Sequence, residues 1–274
     1  MNIAEYRKKI STQFAALSQT PQLDAELLMM HVTKKSRTEL FLNLNKTLSA
    51  IEEKKIKDLV TRRMQGEPIA YLLGYQPFWT LDLMVTPDTL IPRPETECLI
   101  DWILHHIDAT KNCVIADLGT GTGAIAIALA SERKNWHIDA VDQSAEALAI
   151  AKKNIDQYNI KNISLYISDW YAQLSSHHYD IIVSNPPYIA ENDVRLEKLT
   201  FEPAAALISG KEGLDAIRKV VSDAKKYLNE NGYLVIEHGF DQADAVMTIF
   251  KNAGFHDIKN HRDLSDIPRF VTGC

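Results

Sequence analysis

From residue 113 onward, apolar segments with strand character alternate with segments of helix periodicity. The strand-like segments are 113–117, 137–142, 163–167, 179–184, 233–238, 256–260 and 268–272. Helix patterns lie at 123–131, after a possible N-cap at Ser144, near 212–229 and near 241–253. Continuous apolar strands joined by helical crossovers are typical of a parallel sheet that is covered on both faces. We therefore predict an α/β fold with a mostly parallel, seven-stranded sheet.

Residues 1–72 follow a different pattern, with helix periodicity and without strand-like alternation. Leu23, Leu27 and Met30 recur at helical spacing, and a second series does so at 56–64, which predicts helices with one apolar face. We expect a small helical domain over 1–72. It is either a plain helical bundle or a domain that recognises a macromolecular substrate, and the sequence leaves both open.

Residues 73–92 carry strand-forming side chains around a possible turn at Asp82, among them Phe78, Trp79 and Leu83. This pattern favours a β-hairpin linker over 73–92. The remaining residues, 93–274, then form the domain in which strands and helices alternate.

The composition excludes several classes of protein. Apolar residues make up 46% and charged residues 24% of the 274 residues, which allows a sizeable core. No apolar run approaches the ~20 residues that span a membrane, and no secretory signal is visible. Three scattered cysteines without a CxxC pair are typical of a reduced, cytoplasmic compartment. The net charge of −6 weighs against a direct nucleic-acid partner.

A glycine-rich segment, DLGTGTG, connects the first strand of the alternating region to the following helix. Glycine permits tight turns and close approach of the backbone to a ligand, which in such sheets binds beyond the carboxyl ends of the strands. Gly119, Gly121 and Ala124 also fit a dinucleotide fingerprint. Asp117 weighs against that alternative, because a carboxylate repels a pyrophosphate and attracts the ammonium group of S-adenosylmethionine. The predicted cofactor residues of this segment are Asp117, Gly119, Thr120, Gly121, Thr122 and Gly123.

Two further strand ends carry candidate cofactor residues. Asp142 closes the second strand, where a carboxylate can bind a ribose diol. Asp169 and Trp170 follow the third strand. An indole at this position can flank an adenine ring, and a carboxylate or backbone group can accept from the adenine amino group.

The fourth strand is followed by Asn185, Pro186, Pro187 and Tyr188. This turn predicts the chemical group that accepts the methyl group of S-adenosylmethionine. Prolines end the strand because they cannot donate to its ladder. The side-chain carbonyl of Asn185 and the backbone carbonyl of Pro186 can together accept both hydrogens of one planar NH2 group. Both acceptors hold the nitrogen more strongly as it becomes positive during methylation, and Tyr188 can lie against the planar group. We therefore predict these four residues as the catalytic and substrate-binding turn.

DLGTGTG, SDW and NPPY resemble class I S-adenosylmethionine-dependent methyltransferases that act on planar nitrogens. The segments 66–97 and 201–207 (FEPAAAL) are similar to the peptide chain release factor glutamine methyltransferases, and this resemblance covers nearly the whole chain. It implies a Rossmann-like fold, S-adenosylmethionine as cofactor and S-adenosylhomocysteine as product. It also implies methylation of the glutamine amide in the Gly-Gly-Gln loop of class I release factors, which supports translation termination. By the same resemblance, Gly119 to Gly123, Asp142, Trp170 and Asn185 bind cofactor, and Asn185 to Tyr188 bind the glutamine.

Several alternatives stay open at this point. A ribosomal-protein glutamine methyltransferase shares the NPPY turn, although IPRPETE at 91–97 favours a release factor as substrate. A nucleic-acid methyltransferase that acts on the exocyclic amine of adenine or guanine would suit the same turn, and a non-catalytic module could keep the cofactor as a ligand only. Arg93, Glu95 and Glu97 either shape the entrance or form a salt-bridge cluster between domains.

No metal site is predicted. The pairs His105–His106 and His177–His178 are neighbours in sequence and do not share a helix face, and no cysteine or carboxylate set completes them. We expect a monomer.

Overall fold

A computed structural model describes residues 1–174 and 178–274. His177, which belongs to one of the histidine pairs considered above, lies outside the described residues. The chain divides into two compact units, residues 1–75 and residues 76–274. No helix within the described ranges is both long enough and apolar enough to cross a bilayer.

The first unit is helical. Its helices are α1 (Ile3–Phe14), α2 (Pro21–Thr33), α3 (Arg37–Leu42), α4 (Ala50–Met64) and α5 (Ile69–Leu73). Capping boxes begin α1, α3 and α4, where Asn2, Ser36 and Ser49 each exchange hydrogen bonds with a glutamate three residues later. The core between the helices includes Phe14, Leu28 and Ile56, all fully buried.

The apolar face predicted for α2 is only partly confirmed, since Leu27 and Met30 are half-buried and pack against the core of this unit. Leu23 is 42% exposed, whereas Ala25, Leu28 and Met29 are fully buried. Apolar residues surround most of this helix, so their spacing alone does not select a face. The buried face also carries Glu26, which is 3% exposed and pairs with the guanidinium groups of Arg7 and Arg37 at 3.0 and 2.9 Å.

The second unit contains a seven-stranded sheet. Its strands are β3 (Val114–Leu118), β4 (His137–Asp142), β5 (Ile163–Ile167), β6 (Tyr179–Ser184), β7 (Leu228–Glu237), β8 (Lys259–Arg262) and β9 (Pro268–Gly273). They lie in the order β5-β4-β3-β6-β7-β9-β8. The first five pair in parallel, and β9 is antiparallel to both β7 and β8. The predicted α/β class and strand number are confirmed, although β7 begins five residues before the predicted strand and β8 begins three residues after it.

Helices cover both faces of the sheet. They are α6 (Glu97–His106), α7 (Ala124–Glu132), α8 (Ala145–Gln157), α9 (Asp215–Ala224) and α10 (Ala243–Asn252). Alternate residues of a strand point to opposite faces. Accordingly, Ile115 and Ile181 pack in a cluster with α6 and α7, while Ala116 and Ile182 pack with α9 and α10.

A two-stranded hairpin, β1 (Tyr75–Phe78) and β2 (Leu81–Met84), precedes the sheet. Phe78 and Leu83 are almost fully buried in the core of the second unit. The backbone N–H of Met84 donates to Asn154 of α8 at 2.7 Å. Most of the hairpin that we predicted as a linker over 73–92 therefore packs as part of the second unit, which begins at residue 76.

Candidate active site

The turn between β3 and α7 is built from glycines in left-handed conformations. Gly119, Gly121 and Gly123 have φ angles of 74°, 56° and 82°, a region that side chains disfavour. At Gly123 an added Cβ would also lie 2.9 Å from Cδ1 of Ile127. This turn therefore needs glycine both for its backbone conformation and for the packing of α7.

Asp117 lies beneath the turn and is 1% exposed. Its Oδ2 accepts from the Thr120 hydroxyl at 2.6 Å and from the backbone N–H of Ala126 at 3.2 Å, whereas its Oδ1 has no hydrogen-bond partner among the described residues. Burial raises the pKa of Asp117 to about 7. The structure thus leaves one buried carboxylate oxygen in need of a donor. Thr122 is buried as well, and its carbonyl accepts from Asn154 at 2.9 Å.

Asp142 connects the glycine turn to the start of α8. Its Oδ2 accepts from the backbone N–H of Gly121 and its Oδ1 from that of Ser144, both at 2.9 Å. Ser144 caps α8 through its hydroxyl, as predicted. Burial raises the pKa of Asp142, and these backbone donors oppose that shift.

Asp169 and Trp170 follow β5 and sit differently from each other. The Asp169 side chain is 61% exposed and pairs with Lys219 at 2.6 Å. Trp170 is half-buried with a left-handed φ of 51°, and its indole lies close to Gly119, since a Cβ on that glycine would be 3.7 Å from Cζ3 of the tryptophan.

A cavity of about 350 Å³ opens at the carboxyl ends of β3 to β6. Its lining joins the glycine turn to the residues after β4, β5 and β6. The predicted site residues in this lining are Gly119, Gly121, Asp142, Asp169, Trp170, Asn185 and Pro187. The other predicted residues that the structure describes in this region, Asp117, Thr120, Thr122, Gly123, Pro186 and Tyr188, are not in the lining. Their proposed contacts with ligands stay predictions.

Two segments that sequence reasoning gave no site role also line the cavity, one with residues 87–90 and the other with Pro203, Ala205 and Ala206. Glu202 joins them. It is 7% exposed, accepts from the backbone N–H of Ile91 at 3.0 Å and forms an ion pair with Arg93. Arg93 thus supports the cavity wall within the second unit. Both segments lie in the stretches that carried the family resemblance, which was the only signal for them.

The NPPY turn follows β6 and is connected to residues far away in the sequence. Nδ2 of Asn185 donates to Oγ1 of Thr96 at 3.2 Å. The Thr96 hydroxyl in turn donates to Oε2 of Glu237 at 2.7 Å, and the Tyr188 hydroxyl donates to Oε1 of Glu237 at 3.3 Å. Sequence reasoning missed Thr96 and Glu237. The available signal was that Glu237 closes an apolar strand, as Asp142 does.

Pro186 and Tyr188 of the same turn have different surroundings from Asn185. Pro186 is buried. The Tyr188 carbonyl accepts from Gln242 at 3.0 Å, and Tyr188 lines a second cavity, of about 460 Å³, together with Arg195 and Arg218. The Tyr188 hydroxyl is bonded to Glu237, and the expected contact of its ring with the planar substrate group stays a prediction. Glu97, for which the sequence left open an entrance role or a salt-bridge cluster between domains, accepts from the backbone N–H of Trp79 at 2.8 Å.

Comparisons with known proteins match both units of the chain. The "Methyltransferase small domain" family model matches residues 100–260, and the "PrmC N-terminal domain" model matches residues 5–74. The release factor glutamine methyltransferase of Coxiella burnetii is 47% identical over 99% of this chain and 98% of the relative. That of Escherichia coli is 43% identical over 93% of each chain.

The chain belongs to the release factor glutamine methyltransferase family. The resemblance read from the sequence is therefore confirmed. Among solved structures, the catalytic domain of hMettl16 in complex with an RNA hairpin superimposes with a TM-score of 0.59 at 16% identity, covering 79% of this chain and 81% of that one. At that identity the likeness concerns the fold alone, and it confirms the class I methyltransferase architecture.

The cavity of this family member fits S-adenosylmethionine, which confirms the predicted cofactor. Within the described residues, the lining has four carboxylates, from Asp88, Asp142, Glu146 and Asp169, and neither lysine nor arginine. Such a lining repels a pyrophosphate and suits a ligand that carries a sulfonium and an ammonium. Asp117 lies outside this lining, and a contact of its unpartnered oxygen with the ammonium group stays a prediction. The dinucleotide alternative is therefore not supported.

One group of possible metal ligands occurs among the described residues. His256, Asp257 and Cys274 place ligand atoms within 4.8 Å of one another. His256 and Asp257 are exposed, and the three side chains already contact each other. The expectation that no metal takes part stays a prediction.

Proposed function

We propose that this protein transfers a methyl group from S-adenosylmethionine to the side-chain amide nitrogen of the glutamine in the Gly-Gly-Gln motif of class I peptide chain release factors. The observation that carries the proposal is the placement of Asn185. It lies in the wall of the same cavity as Gly119, Gly121 and Asp142, so one cavity can bring a methyl donor and a planar amide together. Membership of the family supplies the substrate class.

The chemistry follows from the groups of the NPPY turn. When bound, S-adenosylmethionine supplies an electrophilic methyl group and is released as the uncharged thioether S-adenosylhomocysteine. Oδ1 of Asn185 and the Pro186 carbonyl accept the two hydrogens of the substrate amide and fix its nitrogen for in-line attack. The new carbon–nitrogen bond makes the nitrogen positive, and both carbonyls then hold it more strongly. The cationic nitrogen loses its proton to water, so no side chain acts as a base.

The remaining site assignments follow from the same proposal. The glycine turn from Gly119 to Gly123, with Asp142 and Trp170, binds the nucleoside and amino-acid parts of the cofactor. Asp117 stabilises the turn and offers its free oxygen to a cationic group. The helical residues 1–72 hold the body of the release factor, while residues 93–274 carry out the transfer. We also propose that the protein acts as a cytoplasmic monomer. Its net charge of −6 weighs against direct contact with nucleic acid.

A labelling experiment tests the proposal. The purified protein is incubated with a release factor and S-adenosylmethionine labelled in the methyl group, and the label is located by mass spectrometry. We expect label on the Gly-Gly-Gln glutamine and none on a release factor in which that glutamine is replaced. Parallel reactions with ribosomal proteins and with RNA test the two alternative substrate classes. Label found only in those reactions would overturn the proposal.

A further inference from the structure

The Asn185 side chain can help the reaction in only one of its two orientations. A primary amide has an acceptor oxygen on one side and a donor NH2 on the other. The substrate amide also presents an NH2, so the nitrogen side of Asn185 would meet it donor against donor. Some neighbouring group must therefore determine which side of the amide faces the substrate.

Thr96 is placed to make this selection. It closes the 3₁₀ turn Pro94–Thr96 immediately before α6 and is 4% exposed. Its hydroxyl lies 2.7 Å from Oε2 of Glu237 and 3.2 Å from Nδ2 of Asn185. A hydroxyl has a single proton, and a carboxylate can only accept. When Glu237 is ionised, the Thr96 proton is used for the carboxylate, and only a lone pair remains for Asn185.

Glu237 is the final acceptor in the chain of hydrogen bonds that runs from Asn185 through Thr96. It is the last residue of β7 and is 1% exposed. Tyr188, in the same turn as Asn185, donates to its other oxygen at 3.3 Å. The pKa of Glu237 is raised to about 7, mainly by burial and also by Glu95, although Thr96, Arg269 and Tyr188 oppose the shift. Arg269 itself pairs with Asp263 at 3.0 Å, so it is not left alone when Glu237 is altered.

We propose that Thr96 and Glu237 are positioning residues that fix the Asn185 amide with Nδ2 toward Thr96 and Oδ1 toward the acceptor nitrogen. This inference rests on the proposed function, since the orientation matters only if a planar NH2 is the acceptor. Thr96 contacts neither substrate nor cofactor in this account. It acts through Asn185, and Glu237 acts through Thr96. Through Tyr188, the same carboxylate also holds the far end of the turn.

Replacement of the Thr96 hydroxyl tests the first link. Thr96→Val removes the hydroxyl with little change of shape, and we expect kcat to fall about 10- to 100-fold, by analogy with the loss of partners that orient metal-ligating side chains. KM and Kd for S-adenosylmethionine stay unchanged, because the cofactor residues at the ends of β3 to β5 are not touched. Thr96→Ser keeps the hydroxyl and retains most of the rate. Thr272→Val is the matched control, since Thr272 is 2% exposed in the same sheet and its hydroxyl is bonded to His261 at 2.9 Å, outside this chain of contacts.

Replacement of Glu237 tests the second link. Glu237→Leu frees the Thr96 proton to turn toward Asn185, which then favours the reversed amide, so kcat falls as it does in Thr96→Val. Because the two residues act as one unit, Thr96→Val combined with Glu237→Leu costs little more than either change alone. If the fold losses of kcat in the two single variants multiply in the double variant, Thr96 and Glu237 act independently and the inference is contradicted.

A measurement on the wild-type protein does not depend on how the variants fold. In ¹⁵N-labelled protein, the Asn185 side-chain NH2 signal, assigned by its loss in Asn185→Asp, should show one proton protected from exchange by Thr96. An unprotected NH2, or a Thr96→Val enzyme with wild-type kcat, overturns the inference. A wild-type enzyme that does not methylate a release factor overturns the proposed function instead, so the two failures can be told apart.

Discussion

The cavity has two sides that are held by different kinds of contact. The cofactor side consists of Gly119, Gly121, Asp142 and Trp170, at the ends of β3 to β5. Its bonds join residues close in sequence: Asp117 to Thr120 over 3 positions, and Gly121 to Asp142 over 21. Backbone conformation and backbone donors shape this side.

The acceptor side, at the ends of β6 and β7, consists of Asn185 in the cavity lining and of Thr96, Tyr188 and Glu237, which are connected to the turn by hydrogen bonds outside the lining. Its side-chain bonds cover 89 positions from Asn185 to Thr96 and 141 from Thr96 to Glu237. The position of the acceptor amide therefore depends on three segments that are distant in sequence and meet at the carboxyl ends of β6 and β7. The comparison indicates that changes on the acceptor side should affect the rate, and changes on the cofactor side should affect cofactor affinity.

The largest effect is expected for Asn185→Ala. Loss of a preorganised polar group that holds developing charge costs on the order of 10²–10³ in rate. The fall should appear in kcat under saturating cofactor, measured with a release factor as substrate. A variant with turnover near that of the wild type would remove Asn185 from the mechanism and with it the distinction between the two sides.

Asp142→Ala should affect cofactor affinity more than kcat, in contrast to Asn185→Ala. The variant loses the carboxylate that accepts from Gly121 and Ser144, and hydrogen bonds to a charged group are worth about 1.5–3 kcal/mol. We expect S-adenosylmethionine to bind roughly 10- to 100-fold more weakly, with a smaller change in kcat at saturation. Calorimetry of cofactor binding measures the first quantity. Unchanged affinity would show that Asp142 is not a cofactor ligand.

The pH dependence should separate the two sides again. Glu237 must be ionised to hold the Thr96 proton, so kcat should rise as pH increases through the pKa of Glu237, which burial raises to about 7. Asp117 has a pKa of about 7 for the same reason, and its ionisation should favour a cationic cofactor, which affects cofactor affinity. Glu237→Leu should remove the rise of kcat with pH and leave the pH dependence of cofactor affinity unchanged. Asp117→Asn should remove the pH dependence of cofactor affinity and leave that of kcat unchanged.

The same two groups affect stability with the opposite sign. Each has a higher pKa when folded than the ordinary value of about 4 for an unfolded chain. Their contribution to the free energy of unfolding is therefore greatest below about pH 4 and is lost as pH rises through about 7. Rate and stability should thus change in opposite directions over this range. A thermal unfolding series on the ligand-free protein should show the loss, and Asp117→Asn should reduce it.

The smallest effect is expected for Asp169→Ala. The side chain is 61% exposed and paired with Lys219, and an exposed ion pair contributes about 1 kcal/mol or less. We expect cofactor affinity to change less than about tenfold. A larger loss would show that Asp169 contacts the adenine, as the sequence suggested, and would enlarge the cofactor side.

The sequence predicted more residues on the cofactor side than on the acceptor side, because contacting residues are closer to each other in sequence on the cofactor side. Local features predicted the α/β order, the glycine turn, Asp142 and the Ser144 cap. Asn185 was found because two prolines end its strand. Thr96, Glu202 and Glu237 were missed, because their partners depend on the three-dimensional course of the chain. The buried face of α2 was predicted only in part for another reason, since apolar residues surround that helix and its buried face is selected by packing against its neighbours.

A crystal structure with S-adenosylhomocysteine and a Gly-Gly-Gln peptide bound tests the central claim most directly. The account predicts that the glutamine Nε2 lies within hydrogen-bond distance of Oδ1 of Asn185 and of the Pro186 carbonyl, with Nδ2 of Asn185 still bonded to Thr96. A bound glutamine whose amide faces away from both carbonyls, or an Asn185 that turns its NH2 to the substrate, would contradict it.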